Sequence, residues 1–96
     1  MVTKKDKELL ITFIKKHIPD CKIYLFGSRS RKTNSVGSDI DLAIESGQVI
    51  SRHDIADVLE EIENSNIPFF VDLVDMKQIN DNFKTEIMKD RILWSE

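Results

Sequence analysis

The segment Asp39-Ile40-Asp41-Leu42-Ala43-Ile44-Glu45 alternates apolar and polar residues with period two. Successive side chains of a strand point to opposite faces, so Ile40, Leu42 and Ile44 take one face and Asp39, Asp41, Ala43 and Glu45 the other. The pattern predicts a half-buried strand, whose apolar face needs a covering layer. A chain of 96 residues has room for one domain and not for two full ones. At this size folding hides about two-thirds of the unfolded surface, and 41% apolar residues suffice for that core. Residues 1–96 therefore read as a single domain.

The neighbours of this strand supply the layer. Thr3 with Asp6 resembles a capping box, and Leu9, Leu10, Phe13, Ile14 and His17 or Ile18 recur at helical spacing until Pro19, predicting a helix over 4–18. The β-branched and aromatic run Lys22–Phe26 predicts a short buried strand, ended by a turn at Gly27-Ser28. Residues 28–38 are polar and read as a helical turn and loop. Ser51 with Asp54 caps a helix over 52–64, whose face carries Ile55, Val58, Leu59 and Ile62. Ile67–Asp75 predicts a third strand, and Ile79, Phe83, Ile87 and Met88 organise a last helix.

Composition narrows the function classes. The single Cys21 has no partner for an internal disulfide and no second cysteine for a zinc site. No apolar run approaches the ~20 residues that cross a bilayer, and the first residues lack the apolar stretch of a signal peptide. A cytoplasmic protein that does not span a membrane is expected. Charge is uneven: residues 1–38 hold nine Lys/Arg against three acids, residues 39–96 five against fourteen, so different surfaces are expected from the two halves. The net charge of −3 argues against a nucleic-acid binder that works by phosphate neutralisation alone. A small phosphate ligand near the basic segment fits.

The chemistry-bearing stretch is Gly27-Ser28, ten intervening residues, then Asp39-x-Asp41, with a further carboxylate at Asp72. Asp39 and Asp41, two apart on a strand, emerge on one face about 7 Å apart at the backbone. The helix between the second and third strands is long enough for a crossover, which would make those strands parallel and lay residues 70–72 beside 39–41. Asp72 then joins the pair. Gly27 meets the start of the second strand only if the first two strands are antiparallel. Three acids this close repel unless a cation neutralises them, and oxygen ligands favour Mg²⁺ or Mn²⁺. Gly27 admits a close phosphate, Ser28 offers a hydroxyl, and Arg29, Arg31 and Lys32 add positive charge. These are parts for phosphoryl or nucleotidyl transfer, in which ions clamp the attacking and leaving oxygens.

Gly27-Ser28-Arg29-Ser30-Arg31 followed by Ser38-Asp39-Ile40-Asp41-Leu42 resembles the signature of the DNA polymerase beta-like nucleotidyltransferase superfamily, with Val71-Asp72-Leu73-Val74 matching its third-carboxylate strand. Residues 22–94 carry the resemblance, and the chain is similar in length to the minimal nucleotidyltransferases, many of which are antitoxins encoded beside a helical HEPN-type toxin. The resemblance implies a palm core of the polymerase beta type, with Gly27 and Ser28 holding the triphosphate and Asp39 and Asp41 binding two Mg²⁺. It implies that Asp72 ligates one ion and helps to deprotonate the incoming hydroxyl. It also implies ATP as donor and a toxin protein as acceptor, with AMP transferred to a tyrosine. Many relatives carry a glycine after the second arginine, where this chain has Lys32.

Other readings are plainer. Asp75 falls on the opposite strand face from Asp72 and reads as a strand-end acid, and Glu45 sits far along its strand. His17 and His53 read as surface or capped residues with no chemistry assigned. No Gly-x₄-Gly-Lys-Ser/Thr or Gly-x-Gly-x-x-Gly motif occurs, and a calcium loop from Asp39 would place Ile44 and Ile50 where Gly and Glu belong. The terminal Ile92-Leu93-Trp94 suits either the core or an exposed patch.

The expected fold is α/β, of the α+β kind. It has a small mixed sheet of about three main strands, the first antiparallel to the second, with helices on the face away from the acids. The expected function is Mg²⁺-dependent transfer of a nucleoside monophosphate to a protein hydroxyl by an antitoxin. Either a homo- or a hetero-oligomer is compatible with it. Two alternatives stand beside it: a binding module that neutralises its partner by occlusion, motivated by Lys32, and a transferase acting on a small molecule.

Overall fold

The computed structural model describes residues 2–27 and 40–96. In chain order the elements are α1 (Lys4–His17), β1 (Cys21–Phe26), β2 (Ile40–Ser46), α2 (Arg52–Glu63), β3 (Val71–Asp75), α3 (Asp81–Asp90) and β4 (Ile92–Ser95). Local chemistry sets the helix starts. Thr3, Ser51 and Asn80 are extended N-caps whose side-chain oxygens accept from the backbone N–H of Asp6, Asp54 and Phe83, at 3.0, 3.0 and 2.8 Å. Each satisfies a donor that the first helical turn would otherwise leave orphaned.

The strands form one mixed sheet in the order β3-β2-β1-β4. β1 pairs antiparallel with β2, with Phe26 opposite Asp41, as the joining of their ends requires. β2 and β3 are parallel, with Ile40 beside Val71 and Asp41 beside Asp72, because α2 returns the chain as a crossover. The third strand is shorter than the Ile67–Asp75 run. Pro68 has no N–H to donate to a ladder, and the Ser65 hydroxyl accepts from the Ile67 N–H in a local turn, so regular pairing begins at Val71. Beyond the three expected strands, β4 adds an antiparallel partner along the other side of β1.

The main core lies on one face of the sheet. Leu10 and Ile14 of α1 and Val58 and Ile62 of α2 pack on Ile23, Leu25, Ile40, Leu42 and Ile44. Trp94 packs against the same cluster, whereas Ile92 and Leu93 stay exposed, so the terminal segment divides between the two roles left open for it. The expectation of helices on one face is met by α1 and α2 and corrected by α3. Its Ile87 is buried with Phe26, Ala43 and Met76 on the face that bears Asp41. The reason lies in the residues of that face: Tyr24, Phe26, Ala43 and Val74 form an apolar patch beside the acids, which needs its own cover. Among the described residues no helix is long and apolar enough to cross a membrane.

Candidate active site

β1, β2 and β3 bring three of the sequence-derived site residues together. Asp41 and Asp72 are register partners on adjacent parallel strands, so their side chains leave the same face, with backbones about 4.8 Å apart. Asp41 is half-buried and Asp72 exposed. Gly27 closes β1 with φ +79°, a left-handed conformation that favours glycine. A Cβ built on Gly27 would lie 2.6 Å from Asp41 Oδ2, so glycine is needed both for the turn and for the approach of the carboxylate. Ser28, Arg29, Arg31, Lys32 and Asp39 lie outside the described residues.

The wall of the site is aromatic. Phe26, opposite Asp41 in the register, meets Phe83 of α3 edge to face, with ring centroids 5.9 Å apart and planes at 71°. This contact ties α3 to the strand that carries Gly27. On the other side of β2, the Ile40 N–H donates to the Phe70 carbonyl at 2.8 Å, extending the contact between β2 and the β3 segment just ahead of Asp72.

Asp75 has a definite structural role on the other face. Its carboxylate is buried, with Oδ2 accepting from the Ile50 N–H at 2.8 Å and Oδ1 from the Lys77 N–H at 2.9 Å. It fastens the loop ahead of α2 to the end of β3. The local half of that role, an acid accepting from a residue two positions on, is a known habit of turn aspartates. The bond to Ile50 links residues 25 apart, and no sequence pattern announces it.

The histidines also acquire partners. His17 Nε2 donates to Glu61 Oε2 at 2.7 Å, and His53 Nε2 lies 3.4 Å from Asp57 Oδ2. This group belongs to the helical layer, on the opposite side of the sheet from Asp41 and Asp72. His17 follows the core-facing stripe of α1, but which residues of α2 it meets is decided by how the helices pack.

Two carboxylates in register beside a glycine turn can share a cation and receive a phosphate. The family described as "Polymerase beta, Nucleotidyltransferase" matches residues 8–96. The probable protein adenylyltransferase MntA of Haemophilus influenzae is 31% identical over 94 residues, covering 96% of this chain and 82% of that protein. A toxin-antitoxin crystal structure with AMP-PNP matches at a TM-score of 0.80 and 23% identity, covering 93% of this chain and 72% of the other. A tri-AMPylated Shewanella oneidensis HEPN toxin in complex with MNT antitoxin matches at a TM-score of 0.71 and 21% identity, covering 92% and 67%. At those identities the two structures speak for the fold. The family match and the MntA relative go further: this chain belongs to the polymerase beta nucleotidyltransferase family.

Proposed function

We propose that this protein transfers AMP from ATP to a hydroxyl of a protein acceptor, a HEPN-type toxin, and acts as the antitoxin of that pair. The observation that carries the reading is the register of Asp41 with Asp72 on one sheet face, with Gly27 set against Asp41. The names of the relatives give it direction: one is a probable protein adenylyltransferase, and another is an antitoxin in complex with an AMPylated toxin.

The residues fit a divalent ion and a triphosphate. Adjacent carboxylates repel without a cation, and oxygen donors suit Mg²⁺ or Mn²⁺. Asp41 and Asp72, with Asp39, would hold two such ions, which supply positive charge to the phosphate oxygens. Gly27 and Ser28 cradle the triphosphate through backbone and hydroxyl, and Arg29 and Arg31 neutralise it. Asp72, the more exposed acid, accepts the proton of the incoming hydroxyl. That oxygen bonds to the α-phosphorus as the bond to pyrophosphate breaks. Phe26 and Phe83 hold the strand end that leads to Gly27, beside Asp41.

The test is incubation of the protein with Mg²⁺, ATP and the cognate toxin, read by intact mass. One or more AMP additions are expected on the toxin. Asp39→Asn and Asp41→Asn should each lower the rate by about 10²-fold or more, the scale on which losing one charge-stabilising group acts, with the fold retained. Equal toxin neutralisation by the wild type and by a variant substituted at Asp39, Asp41 and Asp72, without any mass gain, would establish occlusion instead.

A further inference from the structure

The C-terminal turn of α1 and the first turns of α2 carry a group of metal-ligating side chains that nucleotidyl transfer does not use. One nitrogen of His17 and one carboxylate oxygen each of Asp54 and Asp57 lie within 4.8 Å of one another. The two helices pack side by side, so the group bridges elements from distant parts of the sequence.

Its geometry is that of a ligand set with an outer partner. His17 is largely shielded from solvent, and its Nε2 donates to Glu61 Oε2 at 2.7 Å. An imidazole that donates one ring N–H to a carboxylate offers the other nitrogen's lone pair to a metal, in a fixed orientation. That nitrogen, Nδ1, is 4.0 Å from Asp57 Oδ2. The separation is too long for a hydrogen bond, and a small side-chain closure to the ~3.4 Å spacing of tetrahedral ligands would let one ion bind both atoms. His53, one turn before Asp57 on α2, is 85% exposed with Nε2 3.4 Å from the same oxygen, and is free to turn towards an ion there.

We propose that His17, Asp54 and Asp57, completed by His53, form a site for a divalent transition metal of the Zn²⁺ class that staples α1 to α2. Two imidazoles and two carboxylates suit Zn²⁺, whereas Mg²⁺ prefers oxygen ligands and retained water. The donor set thus separates this site from the acids on the other side of the sheet. It ties together the two helices that cover the main core, so occupancy acts on stability.

Thermal melting of the full chain with ZnCl₂ and with MgCl₂ tests the proposal. Saturating Zn²⁺ should raise Tm by roughly 4 °C or more, and Mg²⁺ should not reproduce the rise. The rise should persist when Asp39, Asp41 and Asp72 are all changed to Asn, and in Cys21→Ser, and should be lost in His17→Gln and Asp57→Asn. His53→Ala, at an exposed position, should weaken Zn²⁺ about tenfold by calorimetry. Co²⁺ should give a visible absorption band that Asp57→Asn removes. No Tm rise in the wild type, or Zn²⁺ affinity unchanged in both Asp57→Asn and His53→Ala, would overturn the site and leave ordinary ion pairs.

Discussion

Gly27 shows how much a single position can be asked to do. Its φ of +79° would cost an alanine about 1–2 kcal/mol, and the added Cβ would press on Asp41 Oδ2 at 2.6 Å. Gly27→Ala is expected to lower stability by about that amount in urea melts and, under the proposed function, to weaken Mg²⁺-ATP binding by displacing the Asp41 carboxylate. Calorimetry of the folded variant would separate the two effects. The glycine was legible in the sequence as the end of an apolar run, but its contact with an acid 14 positions on is a product of the antiparallel register. Cys21 is simpler. Burial pushes its thiol up from the usual range, against a smaller opposing effect of Lys15, so the reactive thiolate is scarce at neutral pH. Native protein should react with iodoacetamide far more slowly than urea-unfolded protein, and equal rates would mean that Cys21 is accessible.

At the level of elements, the caps were readable because they are local. Thr3 and Ser51 each reach a backbone N–H three residues on, so the pattern is written in consecutive positions. Ser51→Ala should cost about 1 kcal/mol, seen as a lower urea midpoint without a change in slope. Asp75 makes a sharper case. Removing its carboxylate in Asp75→Ala strands the buried Ile50 N–H, a loss of about 1–3 kcal/mol, while Asp75→Asn keeps an oxygen acceptor and should lose less. Equal losses in the two variants would show that charge, rather than the acceptor, matters. β4 was the least legible element. Ile-Leu-Trp has no alternation, and it becomes a strand because β1 has an edge to pair and the main core has room for Trp94.

On the scale of the whole molecule, the basic and acidic halves of the sequence do not form separate bodies. β1, from the first half, lies between β2 and β4 from the second, and the Lys16–Glu61 ion pair at 2.7 Å crosses the same division. This pair and the His17 contact lower the Glu61 pKa, chiefly through the Lys16 hydrogen bond. A carboxylate whose folded pKa is depressed adds stability above its unfolded value and loses it as pH falls through the folded one. Glu61→Gln should therefore lower the urea midpoint at neutral pH, and the gap from wild type should close as pH drops below the ordinary carboxylate range. A gap constant with pH would exclude ionisation as its source. The sequence by itself determined the starts of α1 and α2, the strand faces and the parallel placing of Asp72 beside Asp41, because capping, side-chain alternation and crossover length are properties of neighbouring residues. Only the tertiary structure decided that α3 covers the acid-bearing face, that Asp75 binds the loop before α2, and that His17 meets Glu61. Those outcomes depend on which surfaces remain to be buried once the sheet has formed, and no stretch of consecutive residues encodes that.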